Sequence, residues 1–190
     1  MICYKKCLII KKFKIFMLLT VSIMYRLINI TFIVISINFL NAYNSISKDL
    51  ISNLHGGKVV HWTSEDSINK AENLIDDDES SYWSTSDISF PQVLTYAFPE
   101  NKRFEAIIIK SANNDEKSSW AREVRISTAD PFPHMGGWVE IERVLLPQNG
   151  QNKIISFEGM RGRYFRLEIF SNYGSQNSIS IGNFKVLDKF

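Results

Sequence analysis

RYFRLEIF, residues 163–170, alternates side chains at every second position: Phe165, Leu167 and Ile169 fall on one side, Tyr164, Arg166 and Glu168 on the other. A period of two over a short run predicts a strand with one face in a core and one face outside it. The same pattern recurs along the chain. Residues 92–98 (QVLTYAF) set Leu94, Tyr96 and Phe98 on one face, and residues 123–128 (EVRIST) set Val124 and Ile126 against Arg125. Residues 58–63 (KVVHWT) and 104–110 (FEAIIIK) are β-branched and aromatic, and further short apolar runs cover 138–146, 153–157 and 179–187. Turn signals separate them: Pro99-Glu100-Asn101, then Pro131, Pro133, Gly136 and Gly137, then Gln148-Asn149-Gly150. About eight strands, with residues 67–74 (SINKAENL) as the one helical turn, predict an all-β antiparallel sandwich or jelly roll.

The first 42 residues read differently. They hold Lys5, Lys6, Lys11, Lys12, Lys14 and Arg26 and no acid, and residues 15–40 are apolar or small apart from Arg26. This is a targeting leader rather than part of the fold. If translation starts at Met24, then Met24-Tyr25-Arg26 is the basic region, residues 27–40 the apolar one, and Leu40-Asn41-Ala42 a cleavage site. Alternatively residues 15–40 span a bilayer as an anchor, although Arg26 would then cost roughly 2.5–3.5 kcal/mol. Either way the remainder is secreted or extracytoplasmic. Residues 43–52 are small and polar and read as a linker, and residues 53–190 as the domain.

Removing the leader takes away six of the 22 basic residues and none of the 20 acids, so residues 43–190 carry a net charge of −4. That excludes a nucleic-acid reading founded on net basicity. Both cysteines, Cys3 and Cys7, also leave with the leader. An exported domain without disulfides relies on its core or on a metal.

Several pieces in order carry a family resemblance: Asn53-Leu54 with Gly57-Lys58-Val59-Val60; Ala71 to Trp83; Pro91 to Thr95; Trp120 to Ser127; Gly162 to Leu167; and Ile181 to Val186. Together they resemble the discoidin family, the coagulation-factor C-type domains with a galactose-binding-like β-sandwich. The resemblance places Ile181–Val186 beside the turn that precedes Trp83, so that opposite ends of the domain meet. It also gives the acidic run Asp76-Asp77-Asp78-Glu79 a role, because many members hold a structural Ca²⁺ in that loop. It implies side-chain oxygens from Asp76, Asp78 and Ser81, main-chain carbonyls from Asn73 and Gly182, and the side chain of Asn183. A hard cation takes six to eight such oxygens. Asp77 stands where the family has glycine, a left-handed backbone position that Asp tolerates better than most residues. Asn183 stands where the family has glutamate, a neutral donor in place of a charged one. Trp83 reads as a core anchor.

No enzyme emerges. His55, His61 and His134 lack zinc-ligand spacing, no phosphate loop or nucleophile elbow is present, and Glu140 and Glu142 read as a solvated sheet face. The resemblance instead implies a ligand site on loops at one end of the sandwich, where Trp62, Glu65, Trp120, His134 and Tyr173 have suitable chemistry, aromatic rings for sugar faces and polar groups for hydroxyls. Trp120 occupies a signature position and so also suits packing. The expected partner is a glycan or glycoprotein at a cell surface. A protein–protein adhesion module, docking another exported protein without a sugar site, is the rival. Membrane binding through Phe90, Phe132 and Met135 is a third reading, against which the net charge argues for anionic lipid.

Overall fold

The computed structural model describes residues 24–29, 47–133 and 136–190. The chain divides into two units, residues 1–46 and 47–190. In the first, residues 24–29 form a short exposed helix. No described helix is long and apolar enough to cross a membrane. The rest of the leader, with most of the apolar run and the cleavage site expected there, lies outside the described residues.

The second unit contains eight strands: β1 Lys58–Trp62, β2 Trp83–Thr85, β3 Gln92–Ile109, β4 Ala121–Ala129, β5 Val139–Leu145, β6 Lys153–Asn172, β7 Ile179–Ile181 and β8 Phe184–Leu187. All ladders between them are antiparallel, in the order β1-β3-β6-β4-β5 with β8 also on β3, and β2 pairs with β7. The architecture is the predicted antiparallel β-sandwich.

The strand boundaries differ from the sequence reading in three places. Residues 92–98 and 104–110 belong to one strand, β3, although Pro99 lies between them. Pro99 falls in a register shift between Ala97 and Lys102, where no ladder N–H is required of it. Residues 153–157 and 163–170 likewise join in β6. The last expected strand is instead split into β7 and β8 at Gly182-Asn183. There Gly182 N donates to Lys110 O at 2.9 Å, and a Cβ on Gly182 would sit 2.5 Å from Ser111 O. Only glycine permits that approach. The strand β2 was not expected, and the helical turn is a 3₁₀ turn over Ala71–Leu74.

The two long strands change partners along their length. The first part of β3 lies between β1 and the end of β6, and its last part lies between β8 and the start of β6. Their apolar faces therefore fill one interior. Leu94, Tyr96, Phe98, Phe104, Phe165, Leu167, Ile169 and Phe184 are fully buried. Phe165 packs its ring against Phe98 and Phe104, each at 4.8 Å between centroids. Each such side chain contributes about 1.5–3 kcal/mol on burial.

Part of the stretch read as a linker is structural. Leu50 N donates to Val186 O at 2.7 Å, and Ile51 and Ser52 are fully buried.

Candidate functional site

The meeting of the two ends is borne out in the geometry. Trp83 pairs with Ile181, and Asn183 Nδ2 donates to Asp78 O at 2.9 Å. Trp83 is fully buried and its indole N–H donates to Ser64 O at 3.1 Å.

Within this corner the acidic run divides its work. Ser81 Oγ lies 2.8 Å from Asn73 O, 2.8 Å from Asp76 Oδ1 and 2.9 Å from Asp78 O. One hydroxyl proton can serve one of these three acceptors at a time. Asn183 is buried, and its Oδ1 has no hydrogen-bond partner. The oxygens of Asn73, Asp76, Asp78 and Ser81 thus converge, with the Asn183 amide beside them.

Asp78 contributes differently from the expectation. Its carboxylate accepts from Ser80 N at 2.8 Å and Ser80 Oγ at 2.6 Å, and these bonds hold it below the usual carboxylate range. Serine two residues on captures the side chain in a local turn. What Asp78 presents to the cluster is its carbonyl, so Asp76 supplies the one carboxylate there. For Gly182 the backbone N–H is bonded to Lys110 O. Among the described residues no three His, Cys, Asp or Glu side chains are placed to hold a metal. A donor set of carbonyls, a hydroxyl and one carboxylate is nevertheless of the hard-oxygen kind that suits Ca²⁺.

The other two acids brace the corner. Asp77 has φ 63°, the left-handed conformation, and its carboxylate accepts from Ser52 Oγ. Glu79 pairs with Lys110 and Lys185, whose hydrogen bonds hold its carboxyl below the ordinary value.

The residues expected at the loop end are placed as follows. Trp62 ends β1 and is 42% exposed. Glu65 Oε2 accepts from Ala71 N at 2.9 Å and so satisfies the first N–H of the 3₁₀ turn. Trp120 is buried, and its indole N–H donates to Asn114 Oδ1 at 2.7 Å. Tyr173 donates its hydroxyl to Leu146 O at 2.5 Å and lies under Arg122. His134 lies outside the described residues. Trp120 and Tyr173 meet through a backbone bond at 3.2 Å, but both are committed to internal partners.

A concave site instead lies on the outer face of the large sheet. His61, Thr95, Arg166 and Ser127 sit in one row across β1, β3, β6 and β4. The segment between β4 and β5 lies over this row, with Phe132 against Tyr164 at 5.1 Å and Trp138 at 5.9 Å between centroids. The Arg166 guanidinium stacks over Trp138 at 4.7 Å. Between segment and sheet is a cavity of about 420 Å³, lined by His61, Val93, Thr95, Phe132, Pro133, Gly136, Trp138 and Arg166. On the same face Arg125 grips Glu168 with two bonds of 2.9 Å, and Arg166 Nη2 reaches Glu168 Oε2 at 3.1 Å. Burial alone would raise the Glu168 carboxyl, but these two cations outweigh it and hold it low. Alternation in residues 163–170 correctly assigned Arg166 and Glu168 to the outer face. That a distant segment would lie over that face has no local signature.

Three comparisons bear on the whole. The family model described as "F5/8 type C domain" matches residues 59–183. Two relatives, both named "Intraflagellar transport protein 25 homolog", come from Homo sapiens and Mus musculus. They are 26% and 28% identical over 137 residues, covering 70% of this chain and 90% of each relative. Among solved structures, the family 32 carbohydrate-binding module of C. perfringens NanJ in complex with galactose superposes with a TM-score of 0.63. It is 16% identical, over 75% of this chain and 99% of that one. Chitosan-binding module 1 of a chitosanase/glucanase from Paenibacillus sp. IK-5 follows at TM-score 0.61, with 14% identity over 73% of this chain and 98% of that one. At those identities the structural likeness is one of fold.

Proposed function

Because the chain belongs to the F5/8 type C domain family, we propose that it is a non-catalytic binding module that takes a glycan in the cavity over the outer sheet face. The observation that carries this is the cavity's chemistry. A space of about 420 Å³ accommodates a sugar ring, with the aromatic and proline surfaces of Phe132, Pro133 and Trp138 beside the polar groups of His61, Thr95 and Arg166. Apolar walls with a few placed polar groups are the usual form of a small-ligand site. Modules of similar fold, one in complex with galactose and one chitosan-binding, support the choice of ligand class. A glycan array followed by calorimetric titration tests it. Trp138→Ala is expected to weaken binding at least tenfold, and Tyr173→Phe to leave it unchanged. Full binding by the Trp138 variant would place the site elsewhere.

A structural Ca²⁺ and export behind the leader belong to the same reading. The ion would be held by Asn73, Asp76, Asp78 and Ser81 with Asn183, and would tie the turn before Trp83 to the β7–β8 junction. Support comes from the one hydroxyl proton shared among three oxygens and from the unpartnered Asn183 Oδ1. Adding Ca²⁺ in the millimolar range is then expected to raise the melting temperature, and Asp76→Asn to abolish that rise. An equal melting temperature with Ca²⁺ and with chelator would refute it. Export is checked by the mass of the mature N-terminus.

The relatives, named for intraflagellar transport, favour a second reading, a protein-interaction module in a transport process of that kind. This domain accounts for 90% of those relatives, at higher identity than the sugar-binding modules reach. Silence on the array, together with co-purification of one stoichiometric partner through Trp62-dependent contacts, would favour it.

A further inference from the structure

The stack of Arg166 on Trp138 forms part of the wall of the sheet-face cavity, and the placement of that guanidinium has one ionic source. Arg166 Nη2 lies 3.1 Å from Glu168 Oε2, and among the described residues no other acid pairs with it. Glu168 is itself fixed from the neighbouring strand. It stands opposite Arg125 in the β4–β6 register, and Arg125 closes on both of its oxygens at 2.9 Å. Arg125 in turn stacks over Phe170 at 5.1 Å. A run of contacts thus links Phe170, Arg125, Glu168, Arg166 and Trp138. Its last two members line the cavity, and Glu168 does not.

Stability does not account for this run. Glu168 is buried although it belongs to the outer face of β6. A buried carboxylate between cations gains little over an apolar residue of the same size, because desolvation offsets the Coulombic attraction. What the pairing supplies is geometry. A guanidinium is a rigid plane on a flexible stem. Held at one edge by a carboxylate, it offers a fixed flat face to the indole. Trp138 stands at the end of the segment that crosses the sheet, with Phe132 edge-on at 5.9 Å between centroids.

We propose that Glu168 is a positioning residue for the glycan cavity: through Arg166 it holds Trp138 in the orientation that a sugar ring meets. This rests on the glycan reading above and adds to it a residue outside the cavity wall. A wall fixed before the ligand arrives need not be ordered on binding, and that saving appears as affinity.

The test uses Glu168→Gln in the full chain, which keeps the size of the side chain and drops its charge. Two readouts are taken. The first needs no ligand: the indole N–H resonance of Trp138, assigned by its loss in Trp138→Phe, is expected to shift, while those of Trp62, Trp83 and Trp120 stay in place. The second is calorimetric titration with galactose and with a chitosan oligosaccharide, where whichever sugar the wild type binds is expected to bind at least fivefold more weakly to the variant. A salt bridge with a purely structural role would lower the melting temperature and move neither readout, and that result would overturn the inference. The double variant Arg125→Met/Glu168→Leu removes the carboxylate without stranding Arg125 as an unpaired charge, and it carries the same two readouts if the single variant folds poorly. Sugar binding by the wild type that both variants retain in full would overturn this inference and leave the glycan reading intact. Binding of neither sugar by the wild type would overturn both.

Discussion

Asp77 sits at φ 63°, a conformation that most side chains avoid, yet it carries a carboxylate that holds buried Ser52. Two variants separate backbone from side chain. Asp77→Gly and Asp77→Ala both lose the bond to Ser52, so their difference reports the left-handed backbone. Urea denaturation is expected to find the alanine variant less stable than the glycine one by about 1 kcal/mol. Asp49 is the second residue with a measurable signature. Burial pushes its carboxyl from 3.8 to about 6, against the N–H bonds of Val186 and Ile51 that favour the anion. A carboxyl raised in the folded state binds its proton more tightly there than in the unfolded chain. Its penalty is therefore fully present above pH 6 and disappears as the pH falls towards 3.8. Asp49→Asn keeps an oxygen for both N–H donors and is expected to stabilise the domain at pH 7 by about 2 kcal/mol, with no gain at pH 4.

At the scale of elements, β2 shows how three residues can organise a corner. Trp83, Ser84 and Thr85 are all buried, and they pair with Ile181, Ser180 and Ile179. A strand this short cannot display a period, so pattern alone misses it. Its weight lies in Trp83, which packs in the core and donates to Ser64 O. Trp83→Phe removes that donor and part of the ring, and is expected to cost about 2 kcal/mol; Trp83→Ala is expected to cost about 3–5 kcal/mol. Denaturant midpoints measure both. The long strands β3 and β6 were legible as halves, because turn residues interrupt their apolar runs. Register shifts absorbed the interruptions, and a bent strand tolerates Pro99 where a straight ladder would not.

For the molecule as a whole, the titrating groups pull in opposite directions. Lys185 and Lys110 hold Glu79 low, and Arg125 with Arg166 outweighs burial to hold Glu168 low, so both contribute stability that is lost as pH falls below about 4.5. The Asp49 penalty builds as the pH rises from 3.8 and is complete above about 6. Unfolding free energy is therefore expected to peak near pH 5 rather than at neutrality, and a urea series at pH 4, 5 and 7 measures it. In Asp49→Asn the peak should broaden towards neutral pH. The two proposed sites lie on different parts of this frame, one at the turn before Trp83 and one on the outer sheet face, so Ca²⁺ and glycan effects can be measured independently.

Sequence alone determined the sandwich and the burial of Leu94, Phe165, Leu167 and Trp83, while the approach of Ile181–Val186 to the acidic turn was implied by the family resemblance. Alternation and the order of the motifs are local properties, and burial of one strand face follows from them directly. Only tertiary structure decided which polar groups are spent internally. Glu65, Trp120 and Tyr173 look free for a ligand in sequence, yet each is bonded to a residue between 6 and 27 positions away. The cavity at Arg166 likewise exists because the segment bearing Phe132 and Trp138 lies over strands distant in the chain. Hydrogen bonds and cavities between separated segments depend on how strands stack, and no single stretch of residues encodes that.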